Sequence, residues 1–312
     1  MPNDSSLPPE AAEFVRQFAG EEWTVQPLAG DASVRAYYRI VRPDGGSYML
    51  AYYPNEVRPQ LLRFLSAYEA VAPHGRIPEV LRHSEQSVLQ ADVGDRTLFD
   101  LLHDSRAEGF AGYRQAIDEL VAFQGAPGGG INPPFTADFF AAELDMTREY
   151  FVERLMGVSP EKAAGLSSIF RKLSENVALH PYVLCHRDYH GQNLHVFNDA
   201  LYMIDYQDLR MGPDTYDLAS LLRDRGVARL LGDAGELELL EHYRQQTGAG
   251  DDIRPRYFET LLQRSVKVLG TFSKQPIVRG RLHYLDFIPA ALESVRRSGL
   301  SDPEPRPADT RQ

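Results

Sequence analysis

The spacing of apolar positions changes along the chain. Up to about residue 91 it is strand-like. Trp23-Thr24-Val25 leads to Leu28, and Ala36-Tyr37-Tyr38-Arg39-Ile40-Val41 is rich in β-formers. Pro43-Asp44-Gly45-Gly46 reads as a turn, and Ser47 to Tyr53 as a third strand that Pro54 ends. A helix is expected over about residues 57–72, with Leu61, Leu62, Leu65 and Tyr68 on one face. Pro78 to Gln90 reads as two further short strands. Residues 10–91 therefore predict a small antiparallel sheet with one helix.

The remainder is mainly helical in period. Helices are expected near 97–104, 110–124, 136–156, 160–179, 214–230, 235–247, 256–273 and 282–298. The run from Gly125 to Gly130 separates the second from the third. Between 182 and 206 the period returns to strand. The fold class is α+β: a β-rich lobe over 10–91, then a helical lobe over 92–300 with a small β insert. Residues 1–9 and 301–312 are polar and Pro-rich and are expected to be disordered tails.

Composition narrows the class. Hydrophobic residues are 43% and charged residues 25%, as in ordinary globular proteins. No run approaches the roughly 18 apolar residues of a membrane span. The start, Met1 to Ser6, lacks the basic and apolar regions of a signal peptide. Cys185 is the only cysteine, so no internal disulfide forms; a cytoplasmic protein without a membrane partner is expected. The net charge of −11 argues against nucleic acid as the main partner. Lysines number four, and residues 1–161 contain none.

The chemistry concentrates in Val183 to Tyr206. Asn198-Asp199-Ala200 separates two apolar runs and signals a β-hairpin. A turn centred on Asp199 would set Phe197 against Leu201 and Asn193 against Asp205. Carboxamide and carboxylate oxygens converging there suit Mg²⁺ bound with substrate phosphates. Asp188 sits in the loop entering the hairpin. A rival reading takes His186, Asp188, His190 and Asp205 as transition-metal ligands of a hydrolase, and leaves Asn193 unused.

His186-Arg187-Asp188, Asn193 and Ile204-Asp205 resemble the catalytic core of the aminoglycoside phosphotransferase family, relatives of the protein kinases. Gly212-Pro213-Asp214-Thr215-Tyr216-Asp217-Leu218-Ala219 resembles a further element of that family, with Asp and Pro exchanged. The segments Leu28–Arg35, Asp92–Thr97, Ile204–Asp208, Leu221–Asp224 and Gln263–Gly270 look like a bacterial group of sugar kinases within it. That group phosphorylates the anomeric hydroxyl of N-acetylmuramate and N-acetylglucosamine in cell-wall recycling.

The resemblance implies a bilobal protein-kinase-like fold with ATP between the lobes, its adenine against Gln90-Ala91-Asp92. It implies Mg²⁺ on Asn193 and Asp205, and Asp188 as the catalytic base that orients the acceptor hydroxyl. Asp217 would brace the catalytic loop, and His186 would be structural. The third strand carries no lysine, so Arg35 or Arg39 would meet the phosphates. Gly30 is the only glycine of the phosphate loop, and Ser33 would donate its hydroxyl and N–H. His190 and Asp208 are substrate candidates. Arg264 and Lys267, three apart on one helical face, would meet a substrate carboxylate or pair with acids on the surface. Glu143 and Asp145 read as a solvated helical face or as an approach to the cleft. Cys185 is expected to be buried and inert, and His195 to be an ordinary hairpin residue. The partners implied are a sugar and ATP. Two alternatives stay open: an aminoglycoside, choline-like or other metabolite acceptor, and a non-catalytic nucleotide-binding pseudokinase, which the missing lysine suggests.

Overall fold

The structure is a computed structural model that describes residues 7–20, 22–28, 34–128, 130–223 and 226–298. It divides into two units. One comprises residues up to Arg96 together with His195–Asp208; the other comprises Thr97–Leu194 and the chain from Leu209.

The first unit is built on five antiparallel strands: β1 (Thr24–Leu28), β2 (Ala36–Val41), β3 (Ser47–Tyr52), β4 (Val80–His83) and β5 (Ser87–Ala91), in the order β1-β2-β3-β5-β4. Register follows the period-two pattern: Tyr38 pairs with Leu50, and Leu50 with Leu89. The β2–β3 turn needs Gly45 at φ 85°, and the Asp44 carboxylate accepts the Gly46 N–H at 3.0 Å. Ile40, Leu50 and Leu89 are fully buried against Phe14, Val15 and Trp23. Phe14 and Val15 belong to α1 (Pro9–Ala19), so this unit has a second helix where one was expected. Pro9 starts α1, a position where its missing N–H has no helical partner to lose. Leu7 is buried in the same core, so ordered chain begins before residue 10. Residues 301–312 lie outside the described residues.

Helix α2 (Arg58–Val71) buries Leu61, Phe64, Ala67 and Val71, while Leu62 is 56% exposed. The buried stripe is therefore rotated from the expected one. Phe64 and Ala67 outrank Leu62 because they continue the 3.6-residue period from Leu61. The hairpin β7 (Leu194–Phe197) and β8 (Ala200–Met203) follows much later in the chain, and all but Leu194 falls in this unit. It attaches through Val196 N–H to Arg96 C=O at 2.7 Å and Met203 N–H to Arg76 C=O at 2.9 Å.

The second unit is helical: α3 (Leu98–Asp104), α4 (Arg106–Gln124), α5 (Ala137–Thr147), a π-helical stretch Arg148–Leu155, α6 (Pro160–Ala163), α7 (Gly165–Ala178), α8 (Tyr216–Arg223), α9 (Val227–Thr247), α10 (Ile253–Arg279) and α11 (Ile288–Ser298). A two-stranded sheet pairs β6 (Tyr182–Cys185) with β9 (Arg210–Pro213). Helix α10 is the spine, packed against α5, α8 and α11. Thr147 Oγ1 donates to Val266 C=O at 2.6 Å and accepts the Gly270 N–H at 3.1 Å, so it is inserted into the i,i+4 ladder of α10. Several expected helices differ. The 136–156 segment turns π-helical after Thr147, α9 begins at Val227 and crosses a kink at Gly232, and Leu282–Phe287 is 3-10 before α11.

Candidate active site

Strand β6 carries the chain into His186–His190. Leu184, Cys185 and His186 are buried, which anchors the loop's first residue. Arg187 takes φ 82°, uncommon for a residue with a Cβ. Asp217, fully buried in the first turn of α8, accepts the N–H of His186 at 2.6 Å and of Arg187 at 2.8 Å. Arg264 of α10 donates to Arg187 C=O at 3.0 Å and to Ser220 Oγ at 2.9 Å, and its guanidinium lies 4.4 Å from the Tyr216 ring centroid. The loop is thereby held from both of its main-chain sides. Two of the guanidinium nitrogens of Arg264, expected to meet a substrate carboxylate, bond the loop and α8, and the residue also lines the pocket beside Asp188.

Asp188 is aimed by further contacts. Its N–H donates to His186 Nδ1 at 3.2 Å, and its C=O accepts from Asn193 Nδ2 at 2.9 Å and from His190 N–H at 3.1 Å. Asn193 thus commits its nitrogen and keeps Oδ1 as an oxygen donor. A Cβ at Gly191 would lie 2.4 Å from Tyr113 Oη and 3.1 Å from Phe99 N, so a larger residue forces a shift there. Asp188 is solvent-accessible and lines a pocket whose other walls are protein. Burial would raise its pKa, but the Lys267 ammonium and the Arg264 guanidinium, with His190 and Arg187, pull it down to about 2. Asp188 is therefore ionised at neutral pH. Burial would lower Lys267, but the Glu143 carboxylate, 3.6 Å from its Nζ, raises it on balance. Glu143 also accepts from Gln263 Nε2 at 3.3 Å. Asp145 instead pairs with Arg148 at 3.5 Å.

The pocket beside Asp188 has a volume of about 190 Å³, ample for one six-membered ring. Asp188, His190, Arg264 and Lys267 all line it. Asp208 is exposed and is not on its wall, so the expected substrate role for Asp208 has no counterpart in this pocket.

In the first unit, Arg35 stands between the rings of Tyr37 and Tyr53, at 5.7 and 5.9 Å, with Nη2 3.9 Å from Asp205 Oδ1. Asp205 takes φ 61° and accepts from Gln207 Nε2 at 2.8 Å. Arg39, the other expected phosphate contact, is instead gripped by Asp92 at 2.6 Å and by Asp95 at 2.6 Å. Asp92 also accepts the Gly94 N–H at 3.0 Å. Arg39 and Asp92, both expected at the nucleotide, are thus paired with one another in this structure. Gln90 pairs with Met49 across β3 and β5. Ser33 and Gly30 lie outside the described residues.

The hairpin register also differs from expectation. Asn198 and Asp199 both have positive φ, 49° and 58°, which defines a two-residue type I′ turn. Such a turn closes on Phe197 and Ala200, one residue away from the Asp199-centred register. Asn193 ends the 3-10 turn Gly191–Asn193, and Asp205 follows the end of β8, so neither is a strand partner of the other. Among the described residues no group of three or more His, Cys, Asp or Glu side chains could hold a metal, which leaves the hydrolase reading without a site. Cys185 is buried and its thiol is pushed up by burial. His195 Nδ1 lies 2.7 Å from Gly94 O.

An antiparallel-sheet unit, a helical unit and the His186–Asn193 loop together are the protein-kinase-like phosphotransferase fold. Solved structures share it. An ADP-bound aminoglycoside phosphotransferase, APH(2'')-Ib, matches with TM-score 0.65 and 16% identity over 95% of this chain and 99% of its own. A choline/ethanolamine kinase family protein from Mesorhizobium loti matches with TM-score 0.61 and 16% identity over 97% and 93%. The profile of the phosphotransferase enzyme family matches residues 24–257, and the chain belongs to that family. Its reaction is ATP-dependent phosphoryl transfer to a hydroxyl. Among curated relatives, an N-acetylmuramate/N-acetylglucosamine kinase of Pseudomonas aeruginosa is 27% identical over 96% of this chain and 91% of its own length. One of the same name from Neisseria meningitidis is 28% identical over 86% and 84%. No helix among the described residues is long and apolar enough to cross a membrane.

Proposed function

We propose that this chain transfers the γ-phosphoryl group of ATP to the anomeric hydroxyl of an N-acetylated amino sugar, N-acetylmuramate or N-acetylglucosamine. The observation that carries the choice of acceptor is the similarity, over most of the chain, to relatives named N-acetylmuramate/N-acetylglucosamine kinase, 27% identical over 96% of this chain and 28% identical over 86%. The pocket beside Asp188 is consistent with a sugar: Arg264 and Lys267 share its wall with Asp188, while Arg223 is paired with Glu236 and Lys267 with Glu143.

In the reaction, Asp188 accepts a hydrogen bond from the hydroxyl and takes its proton as the new P–O bond forms. An anomeric hydroxyl is more acidic than an ordinary alcohol, so a strongly ionised, weakly basic carboxylate is adequate. Arg35 serves as the cation that β3 lacks. Asn193 Oδ1 and the Asp205 carboxylate are hard oxygen donors suited to Mg²⁺, which supplies charge neutralisation on the phosphates when bound. The protein works in cell-wall recycling in the cytoplasm.

A coupled ADP-release assay tests the reading. N-acetylmuramate, N-acetylglucosamine, glucose, kanamycin and choline are offered with ATP and Mg²⁺, and Asp188→Asn serves as control. Turnover on the N-acetyl sugars that disappears in the variant is expected. Turnover on kanamycin or choline in their place would replace the acceptor assignment.

A further inference from the structure

The pocket has an end remote from Asp188. Along α10, Arg264, Lys267, Thr271, Phe272 and Gln275 fall on one face and line it in that order. With a rise of about 1.5 Å per residue, Phe272 and Gln275 stand about 7.5 and 12 Å along the axis from Lys267. Atoms at the reacting hydroxyl do not extend that far, whereas the far side of a substituted ring does.

Two features mark this remote end. The first is aromatic. Phe272 packs against Tyr284 at 6.0 Å and Phe287 at 5.3 Å, and Tyr284 and Phe287 are 6.1 Å apart. All three rings are half-buried and line the pocket. The second is polar. Gln275 Oε1 is buried and, among the described residues, has no hydrogen-bond partner. Buried acceptors are rarely left unpaired, and one on a pocket wall is accounted for by a donor that arrives with the ligand.

We propose that Phe272, Gln275, Tyr284 and Phe287 form a distal acceptor subsite that sets sugar specificity. The aromatic rings carry the C–H face of the pyranose. Gln275 Oε1 accepts from an N–H or O–H on the part of the sugar remote from the reacting hydroxyl. This rests on the sugar-kinase reading. An aromatic cluster could also cradle a quaternary ammonium. Such a group has no N–H for Gln275.

The test uses the full chain, ADP release on N-acetylglucosamine, N-acetylmuramate, kanamycin and choline, and the variants Gln275→Leu, Tyr284→Ala and Tyr284→Phe. Leu282→Ala is the control, because Leu282 is 68% exposed on the same segment and is not on the pocket wall. The expected result is an acceptor KM raised about tenfold or more in Gln275→Leu and Tyr284→Ala. The KM for ATP and the melting temperature stay within error, Tyr284→Phe recovers most of the loss, and Leu282→Ala behaves as wild type. Wild-type turnover on the sugars with acceptor KM unmoved in Gln275→Leu and Tyr284→Ala overturns the subsite alone. So does a loss in which the KM for ATP and the melting temperature change together. Turnover on kanamycin or choline in place of the sugars, or silence across the panel, overturns the acceptor reading and the subsite with it.

Discussion

Asp217 Oδ1 accepts the main-chain N–H of Arg187 at 2.8 Å, across 30 residues of sequence. Arg187 is held there at φ 82°, in a region where a residue with a Cβ is strained by about 1–3 kcal/mol. The same carboxylate accepts the His186 N–H, so one buried side chain fixes two consecutive peptide groups just before Asp188. Burial raises the Asp217 carboxyl, and His186 and the two N–H groups oppose that rise. Asp217 thus holds a strained backbone next to Asp188, and under the proposed mechanism it acts as a positioning residue for that base.

Asp217→Ala leaves two buried N–H groups without an acceptor. The expected destabilisation is about 2–4 kcal/mol, from about 1–3 kcal/mol for each unsatisfied group with partial relaxation. Turnover is expected to fall at least about a hundredfold, because a misplaced base costs that much. Asp217→Asn keeps one oxygen acceptor and should fall between. Urea unfolding and ADP release measure the two effects separately. Wild-type turnover in Asp217→Ala would show that Arg264 alone holds the loop.

Asp188 supplies the second prediction. Asp188→Asn is expected to lower kcat by about 10²–10⁴, the usual contribution of a general base, with nucleotide affinity unchanged. Its carboxyl is lowered from the ordinary 3.8 to about 2 in the folded chain. A depressed carboxyl favours the folded, ionised state above about pH 4, and that contribution disappears as pH falls toward 2. Lys267→Met removes the foremost cation holding it down, so the acid limb of kcat/KM should move to higher pH. Comparing the two pH profiles cancels protonation of the nucleotide itself. An unshifted limb would mean that Lys267 does not act on Asp188.

The catalytic loop was legible in the sequence because its spacing is local. Asp188 and Asn193 are five residues apart and are joined by a direct hydrogen bond, and the loop joins a strand to a turn that both read clearly. The assignments that depended on long-range packing went differently. Arg39 on β2 looked like a phosphate ligand, yet Asp92 and Asp95, more than 50 residues away, take its guanidinium. Arg264 and Lys267 share a helical face, but only the folded chain shows Arg264 turned to the loop and Lys267 toward Glu143. The hairpin register differs by one because Asn198 and Asp199 both adopt positive φ and make a two-residue turn. Helix α1 (Pro9–Ala19) falls in the stretch before Trp23, to which no element is assigned from the sequence. The distal end of the pocket joins Gln275 to Tyr284 and Phe287 across a helix end, a juxtaposition that periodicity does not reveal.

Gly191→Ala is the third prediction. The added Cβ would meet Tyr113 Oη at 2.4 Å and Phe99 N at 3.1 Å. Overpacking of this kind costs about 1–3 kcal/mol. The backbone would have to shift between Asp188 and Asn193, so turnover should fall with stability. Tyr113→Phe removes the nearer atom, and the Gly191→Ala/Tyr113→Phe double variant should recover part of both losses. Additive losses in the double variant would place the strain elsewhere.

Arg35 and Arg39 are two arginines on or beside the same strand, and the geometry separates their roles. Arg39 lies between Asp92, which is 5% exposed, and Asp95, which is 75% exposed. Arg39→Ala leaves the buried Asp92 carboxylate without its cation, an effect on stability of about 1–3 kcal/mol for a pair with one side open to solvent. The KM for ATP should change little. Arg35 is flanked by Tyr37 and Tyr53 and lies 3.9 Å from Asp205. Arg35→Ala should therefore raise the KM for ATP about tenfold or more with a smaller change in melting temperature. Arg35→Lys should recover part of the affinity, since it keeps the charge but loses the planar fork. Thermal melts and ATP titrations on the variants distinguish the two. A larger rise in the KM for ATP in Arg39→Ala than in Arg35→Ala would exchange the roles and return the phosphates to β2.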